Sequence, residues 1–359
     1  MQRLRCRYCN AKLKLKDVEK GYEYHCPRCG SLIHRSGESS ATIVILVLST
    51  FVMFFGAVTQ PLLNVKILYD TQISVVKSIQ LLSQNDTLSA FILAFTIIVI
   101  PISMLILILS IVFYQHLNIS KQRLKILIVL YTTIKEWNMI AVYFIGLLVS
   151  MVKIMDISDM TVMVGLWINL LYVIFFFATV NFFNPYDTLM IHKREKGEKK
   201  SLNRAIFYII LALIFLVPAN LLPIMPIYKY SVYYPNTLFD GVVSFYKEGD
   251  YFVSAVILTS SIILPFIKLA GLTFMIIMVK YKIFLSKRKF FTKYYIIMEA
   301  ISKYSMIDVY VVVLASSFIQ YDDLIRIEIG DAFVPFTLVV FFTVLANKNF
   351  DTKLLWKEK

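Results

Sequence analysis

The sequence predicts an all-α polytopic membrane protein. We expect eight transmembrane helices as two parallel four-helix repeats, with short β-strands in the first outer loop of each repeat, plus a small N-terminal zinc ribbon. Three observations carry this expectation. The 359 residues are 58% hydrophobic and 17% charged, with a mean hydropathy of +0.71; a soluble chain is about 45–50% apolar and about 25% charged. Eight apolar runs approach or exceed the about 20 residues that a spanning helix needs. All four cysteines fall in two CxxC pairs before residue 30. The composition excludes a soluble enzyme built around one large core.

The runs are Ala41–Leu63, Thr87–Tyr114, Asn138–Val152, Trp167–Phe183, Ala205–Ile227, Phe252–Val279, Ser305–Ile319 and Phe333–Ala346. The third, seventh and eighth are short, and they span only with tilt, mismatch or extension into their flanks. No leader peptide precedes Ala41, so the N-terminus is expected to stay in the cytosol, with the first run as an uncleaved anchor. The basic residues test that orientation. Segments 1–40, 114–137, 184–204, 280–304 and 347–359 hold 30 of the 37 lysines and arginines. The opposite loops (64–86, 153–166, 228–251 and 320–332) hold six, and Lys268 lies within a span. With the acids counted, one side carries +19 and the other −5. This is the positive-inside pattern; it places both termini in the cytosol. It also explains the net charge of +14 without a nucleic-acid partner. The chain then divides into a cytosolic ribbon at 1–36, a four-span unit at 41–190, a basic linker at 191–204 and a second four-span unit at 205–359.

The two units match at an offset of about 164 residues. Trp137-Asn-Met-Ile-Ala-Val-Tyr143 aligns with Tyr304-Ser-Met-Ile-Asp-Val-Tyr310, and Ile100-Pro101 with Leu264-Pro265. Asp187-Thr188 aligns with Asp351-Thr352. Four spans per unit give both copies one orientation, a parallel repeat. The chemistry is unequal: Lys268 and Asp308 face Met104 and Ala141 at the matching places. In the first outer loops, Asn64–Tyr69 and Tyr228–Tyr233 read as short strands. Each precedes an amphipathic helical pattern, Ile73–Leu82 and Thr237–Tyr246; these segments either lie at the outer interface or cap the bundle.

Cys6-Arg-Tyr-Cys9 and Cys26-Pro-Arg-Cys29 are two knuckles sixteen residues apart. Four thiolates at this spacing suit one tetrahedral zinc, a closed and therefore structural site. Iron and a redox dithiol pair are the competing readings; a disulfide is disfavoured on a cytosolic face. Within the spans, Lys268 is the clearest ionisable residue, and such residues are functional candidates by default. Ser261 lies two turns before it on the same face. Ser305 and Asp308 are three residues apart on another helix, and Thr343 sits in the last span. Together they are expected to form one polar cluster, with Asp308 as the natural counter-charge of Lys268. It serves as a proton relay, as a lining for a lipid headgroup, or as an ion pair that pins helices; snorkelling of Lys268 is a further reading. Lys153 and Asp156 read as a solvated pair at the outer end of the third span. Pro218, Asn220 and Pro223 belong to a proline-rich segment that must kink or break the fifth helix, a feature that transport sites often use.

These residues together resemble the paraquat-inducible protein A family. The resemblance rests on Pro218-Ala-Asn-Leu-Leu-Pro-Ile-Met225, Ser261…Pro265…Lys268, Ser305-Met-Ile-Asp-Val309, Phe342-Thr343 and Phe350-Asp351…Leu355-Trp356, together with the N-terminal CxxC pairs. It implies an inner-membrane protein of double-membraned bacteria, with tetraspanin-like membrane units. It implies phospholipid traffic between inner and outer membranes, with an MCE-domain partner forming a tunnel across the periplasm. It further implies that Ser261, Lys268, Ser305, Asp308 and Thr343 match a polar network, and Lys153 with Asp156 a first-half pair. The chain departs from the family in one respect: residues 184–204 hold no cysteine where members often carry a second module. The competing class is a non-transporting scaffold or sensor whose zinc module binds a cytosolic partner. An enzyme is not expected, because HExxH and GxSxG motifs are absent and His25, His34, His116 and His192 are scattered. There is no GxxxxGK[ST] motif, so ATP hydrolysis is not expected within this chain.

Overall fold

The computed structural model describes residues 2–356 apart from 7, 16–22, 36–37, 67–69, 115–119, 156–158, 186–201, 230–231, 236, 284–286, 302–303, 305, 319 and 322–324. Two antiparallel hairpins come first, β1 (Gln2–Arg5) with β2 (Lys12–Leu15) and β3 (Glu23–His25) with β4 (Leu32–Arg35). The first half then runs α1 (Ser40–Thr59), β5 (Leu63–Lys66), β6 (Asp70–Ile73), α2 (Val75–Asn85), α3 (Thr87–Ala94), a π-helical turn at Phe95–Val99, α4 (Ile100–Val112), α5 (Lys121–Glu136), α6 (Ile140–Met155), β7 (Asp159–Val162) and α7 (Val164–Phe182). The second half repeats the order. It runs α8 (Leu202–Leu221), β8 (Ile227–Lys229), β9 (Val232–Tyr234), α9 (Leu238–Glu248), α10 (Tyr251–Ile257), a π-helical turn at Leu258–Ile263, α11 (Leu264–Tyr281), α12 (Arg288–Ile301), α13 (Ile307–Phe318), β10 (Gln320–Tyr321), β11 (Ile325–Ile327) and α14 (Phe333–Asn349), closed by a 3-10 turn at Thr352–Trp356.

The two π-turns have one cause. Pro101 and Pro265 carry no N–H, so the regular ladder is interrupted one turn before each. The amides of Ile100 and Leu264 reach back five residues instead, to the carbonyls of Phe95 and Thr259, and the helix widens locally.

Among the described residues, six helical stretches are long and apolar enough to cross a membrane: Ser40–Thr59, Thr87–Val112, Gln122–Val152, Val164–Phe182, Leu202–Leu221 and Ser254–Tyr281. The third joins α5 to α6, which supplies the N-terminal extension that the short run at Asn138–Val152 required. Val309–Phe318 and Phe333–Asn349 are apolar but shorter; seventeen residues of α14 rise about 26 Å. The helices are apolar on both faces. Ile45, Val52, Phe91, Phe207 and Phe266 point outward and are exposed, as suits a lipid solvent.

Within each half the first helix packs on the last, α1 on α7 and α8 on α14, while α6 packs on α13 between the halves. Gly146 lets that central pair approach: a Cβ there would lie 2.8 Å from Cβ of Tyr310. Ser150 Oγ also donates to the Val311 carbonyl at 3.2 Å. One core runs through both halves, around Tyr143, Tyr172, Phe176 and Tyr310, and a second lies between α8, α11, α12 and α14.

Both sheets lie at the end of the bundle opposite the knuckles. Their orders are β6-β5-β7 and β10-β11-β8-β9, all antiparallel. In each, a hairpin from the first outer loop of a half is extended from the second, by one strand (β7) in the first half and by two (β11 and β10) in the second. The sequence pointed to β5 and β8 and to the amphipathic helices, found as α2 and α9. It did not point to β6, β7, β10 and β11; β5 and β8 are just as short, but they sit within longer β-branched and aromatic runs. The proline segments are stitched into this layer. Helix α8 continues through Pro218 and ends at Leu221. The carbonyls of Pro223, Ile224 and Pro226 then accept from the amides of Ala332, Gly330 and Glu328, at 3.0–3.1 Å. In the first half, the Pro61 carbonyl accepts from the Gly165 amide at 3.0 Å.

A Cβ on Gly165 would overlap the Pro61 carbonyl, and one on Gly330 the Pro223 carbonyl. Backbone cannot give way as a flexible side chain can. Gly165→Ala and Gly330→Ala should therefore each destabilise the fold by about 1–3 kcal/mol, read as a lower melting temperature in detergent. Gly241→Ala is the control, because nothing lies within 4 Å of its added Cβ. Equal melting of all three would refute the crossing.

Candidate functional site

Two places carry chemistry. The first is the cysteine cluster. In each knuckle the first cysteine's amide bonds the carbonyl five residues on, Cys6 to Ala11 at 3.0 Å and Cys26 to Ser31 at 2.8 Å. The turn is completed by a residue with positive φ, Asn10 at 58° and Gly30 at 76°. Glycine pays no steric penalty there and asparagine a small one. The pairing brings Cys6, Cys9, Cys26 and Cys29 together, all buried, with their sulfurs within 4.8 Å of one another. Cys6 lies 3.5 Å from Cys29, and Cys9 3.6 Å from Cys26. A tetrahedral thiolate site with bonds of about 2.3 Å has edges of about 3.8 Å, so the four thiols fit one metal ion. Hydrogen bonds from Cys29 and Ser31 hold the Cys6 thiol down to about 4, against the opposing effect of burial. Burial pushes Cys9 up to about 11. The hydrogen bond to Cys6, followed by burial, pushes Cys29 up as well. A bound cation would remove the protons that burial favours, so the site weakens as pH falls.

The knuckles do not stand apart from the helices. Tyr8, inside the first, donates its hydroxyl to Glu299 Oε2 at 3.0 Å, and its carbonyl accepts from Thr352 Oγ1 at 3.1 Å. Arg28, inside the second, lies 4.8 Å over the Trp356 ring, while Trp356 Nε1 donates to Thr292 Oγ1 at 3.0 Å. The cysteine knuckles are thus seated on α12 and on the turn after α14. The sequence placed the cysteines but not this seat, because each contact pairs residues more than sixty positions apart.

The second place is a cavity lined by Lys268, Leu272, Met298, Thr343 and Asn347. Lys268 projects from α11 and is 3% exposed. Thr343 is buried on α14 and donates to the Val340 carbonyl at 2.8 Å. Ser261, buried in the second π-turn, donates to the Ile257 carbonyl at 2.6 Å. Asp308 lies on α13 and Lys153 on α6, but their side chains fall outside the described residues, as do Ser305 and Asp156 entirely. Asn220 Nδ2 donates to the Leu216 carbonyl at 2.8 Å; with Pro218 and Pro223 it belongs to the sheet end.

The first half has its own buried polar pair, which the sequence reading passed over. Thr50 Oγ1 and Thr179 Oγ1 lie 2.9 Å apart between α1 and α7. Asn169 Nδ2 bridges the Tyr143 hydroxyl and the Ala57 carbonyl at 3.3 and 3.4 Å. Thr179 precedes Thr343 by the repeat offset of 164, and Met104, fully buried, stands where the second half has Lys268.

Removing one thiolate should empty the metal site and unseat the knuckles. Cys26→Ser should lose its bound metal by elemental analysis and red-shift Trp356 fluorescence. A variant that retains metal would refute the four-cysteine site.

The chain was compared with known proteins. The family model of Paraquat-inducible protein A matches twice, over residues 41–189 and 202–359. Lipophilic envelope-spanning tunnel protein A of Escherichia coli is 24% identical over 98% of this chain and 90% of its own length. A probable intermembrane transport protein of Haemophilus influenzae is 25% identical over 99% and 95%. Intermembrane transport protein PqiA of Escherichia coli is 24% identical over 98% and 94%. No solved structure matches. The two matched halves, the apolar helices and the relatives agree: the chain belongs to the paraquat-inducible protein A family.

Proposed function

We propose that this protein is the inner-membrane component of an intermembrane phospholipid transport system, loading or extracting lipid for a periplasmic MCE-domain tunnel protein and so maintaining the cell envelope. It is a transport component and not an enzyme. Two relatives are named as intermembrane transport proteins and one as an envelope-spanning tunnel protein, which supports the reading. In it, the chain crosses the membrane eight times as two parallel four-span repeats at 41–190 and 205–359, joined by a basic linker at 191–204. The double match of the family model and the recurring order of elements support the repeat. The basic excess puts the knuckle end and both termini in the cytosol. The ribbon at 1–36 holds a structural zinc on Cys6, Cys9, Cys26 and Cys29; four protein ligands close the coordination sphere and leave no position for a substrate.

The observation that carries the functional reading is Lys268, buried in a spanning helix beside Thr343, while the equivalent place in the first half is methionine. Burial of a lysine in a membrane segment costs about 2.5–3.5 kcal/mol on insertion scales, and the first half folds without that cost. We read Lys268, Asp308, Ser261, Ser305 and Thr343 as a polar relay that couples proton movement to transport. Lys153 and Asp156 form an accessory pair, and Pro218, Asn220 and Pro223 mark the end of α8 that leads to the periplasmic layer. The cavity at Lys268 has room for about one water molecule, far too little for a lipid headgroup, which favours a relay over a headgroup lining. A scaffold whose zinc module recruits a cytosolic partner is less well supported, since Tyr8 and Arg28 already engage this chain.

Asp308→Asn keeps the shape of the side chain and removes its titration. Reconstituted with its tunnel partner, this variant should lose most phospholipid transfer and its dependence on a pH gradient, with folding intact by gel filtration. Full, pH-gradient-dependent transfer would sink the relay.

A further inference from the structure

We infer that Asn347 holds a water molecule at the knuckle end of the Lys268 cavity, hydrogen-bonded to its own amide, to the Thr343 hydroxyl and to the Lys268 ammonium. Asn347 is a buried residue that the polar-cluster reading did not include. It is 7% exposed, one turn along α14 from Thr343, and it lines the same cavity as Lys268. Its Oδ1 is fully buried and has no hydrogen-bond partner among the described residues. A buried carbonyl oxygen left in that state costs about 1–3 kcal/mol, so an acceptor of this kind calls for a donor.

The cavity can supply one. Its water-accessible space is about 10 Å3, roughly the minimum for a single water, which also needs two to four polar partners. Three are present. The Thr343 hydroxyl has given its proton to the Val340 carbonyl and keeps lone pairs. The Lys268 ammonium is a donor only. A water can therefore donate to Asn347 Oδ1 and to Thr343 Oγ1 and accept from Lys268 Nζ, filling both of its donors. Leu272 and Met298 close the rest of the wall.

Asn347 is also held in place. The Tyr295 hydroxyl donates to its backbone carbonyl at 2.7 Å. Tyr295 in turn packs edge-on against Tyr8 of the first knuckle, with ring centroids 6.3 Å apart, and at a tilt against Phe350 at 5.7 Å. The amide thus sits between the metal knuckle and the lysine, on the side of Lys268 that faces the knuckles. Resting on the relay reading above, this water is the relay's cytosolic entry.

The test is a high-resolution cryo-electron microscopy map of the full chain in lipid nanodiscs, for wild type, Asn347→Leu and Asn347→Ser. Wild type should show a density peak within hydrogen-bonding distance of both Asn347 and Thr343. Asn347→Leu, which fills the space with apolar atoms, should lose the peak; Asn347→Ser, which keeps a hydroxyl and more room, should retain it. A dry wild-type cavity, or a peak that persists unchanged in Asn347→Leu, overturns the site. With the tunnel partner, Asn347→Leu should transfer phospholipid about tenfold more slowly, the scale of one hydrogen bond to a charged group. Wild-type transfer by that variant overturns the entry role. If Lys268→Met also transfers normally, the relay reading itself has failed, whereas the density peak decides the water site independently of transport.

Discussion

Inside a hydrocarbon layer a backbone amide has no water to bond, so each polar group that leaves a helix must find its partner in the protein. Much of this architecture follows from that constraint. Where proline interrupts the second helix of each half, the ladder shifts to five-residue bonds and stays closed. Where the first helix of each half ends at a proline-bearing segment, the freed carbonyls are taken up by the amides that lead into the last helix. That close crossing is possible because glycine stands at Gly165 and Gly330. The two small sheets extend the same solution outward, each pairing a hairpin from one loop with one or two strands from the next.

The two halves share an order of elements but differ in polarity. The first seals its interior with Met104 and a threonine pair, although Asn64, Tyr131, Asn169 and Tyr172 each keep a buried polar atom with no hydrogen-bond partner among the described residues. The second holds a lysine, a threonine and an asparagine around a small cavity. One half can thus be packed as an ordinary apolar bundle while its partner carries the charge. The close α6–α13 contact at Gly146 ties the two together.

The sequence made the scaffold legible where the signal was periodic or local. Apolar runs marked the helices, and CxxC spacing marked the four cysteines that the fold brings together. The offset of 164 between Met104 and Lys268 was visible because proline and tyrosine landmarks flank both copies. Other features had no local signal. Strands of two to four residues, such as β7 and β11, form only because β5 and β8 offer an edge. The seat of the knuckles on Thr292, Glu299 and Trp356 unites distant segments. Asn347 looked like an ordinary polar residue at a helix end; only the packing of α11, α12 and α14 turns it inward.

That seat has a consequence for how the molecule is made. Tyr8 and Arg28 leave the ribosome before any of the long helices, and Thr352 and Trp356 only after all of them. The knuckle unit is therefore made first and stays undocked while the helices are completed. Its arrival on α12 and the final turn is then the last step of assembly, and it closes the chain's beginning onto its end only once both halves are in place.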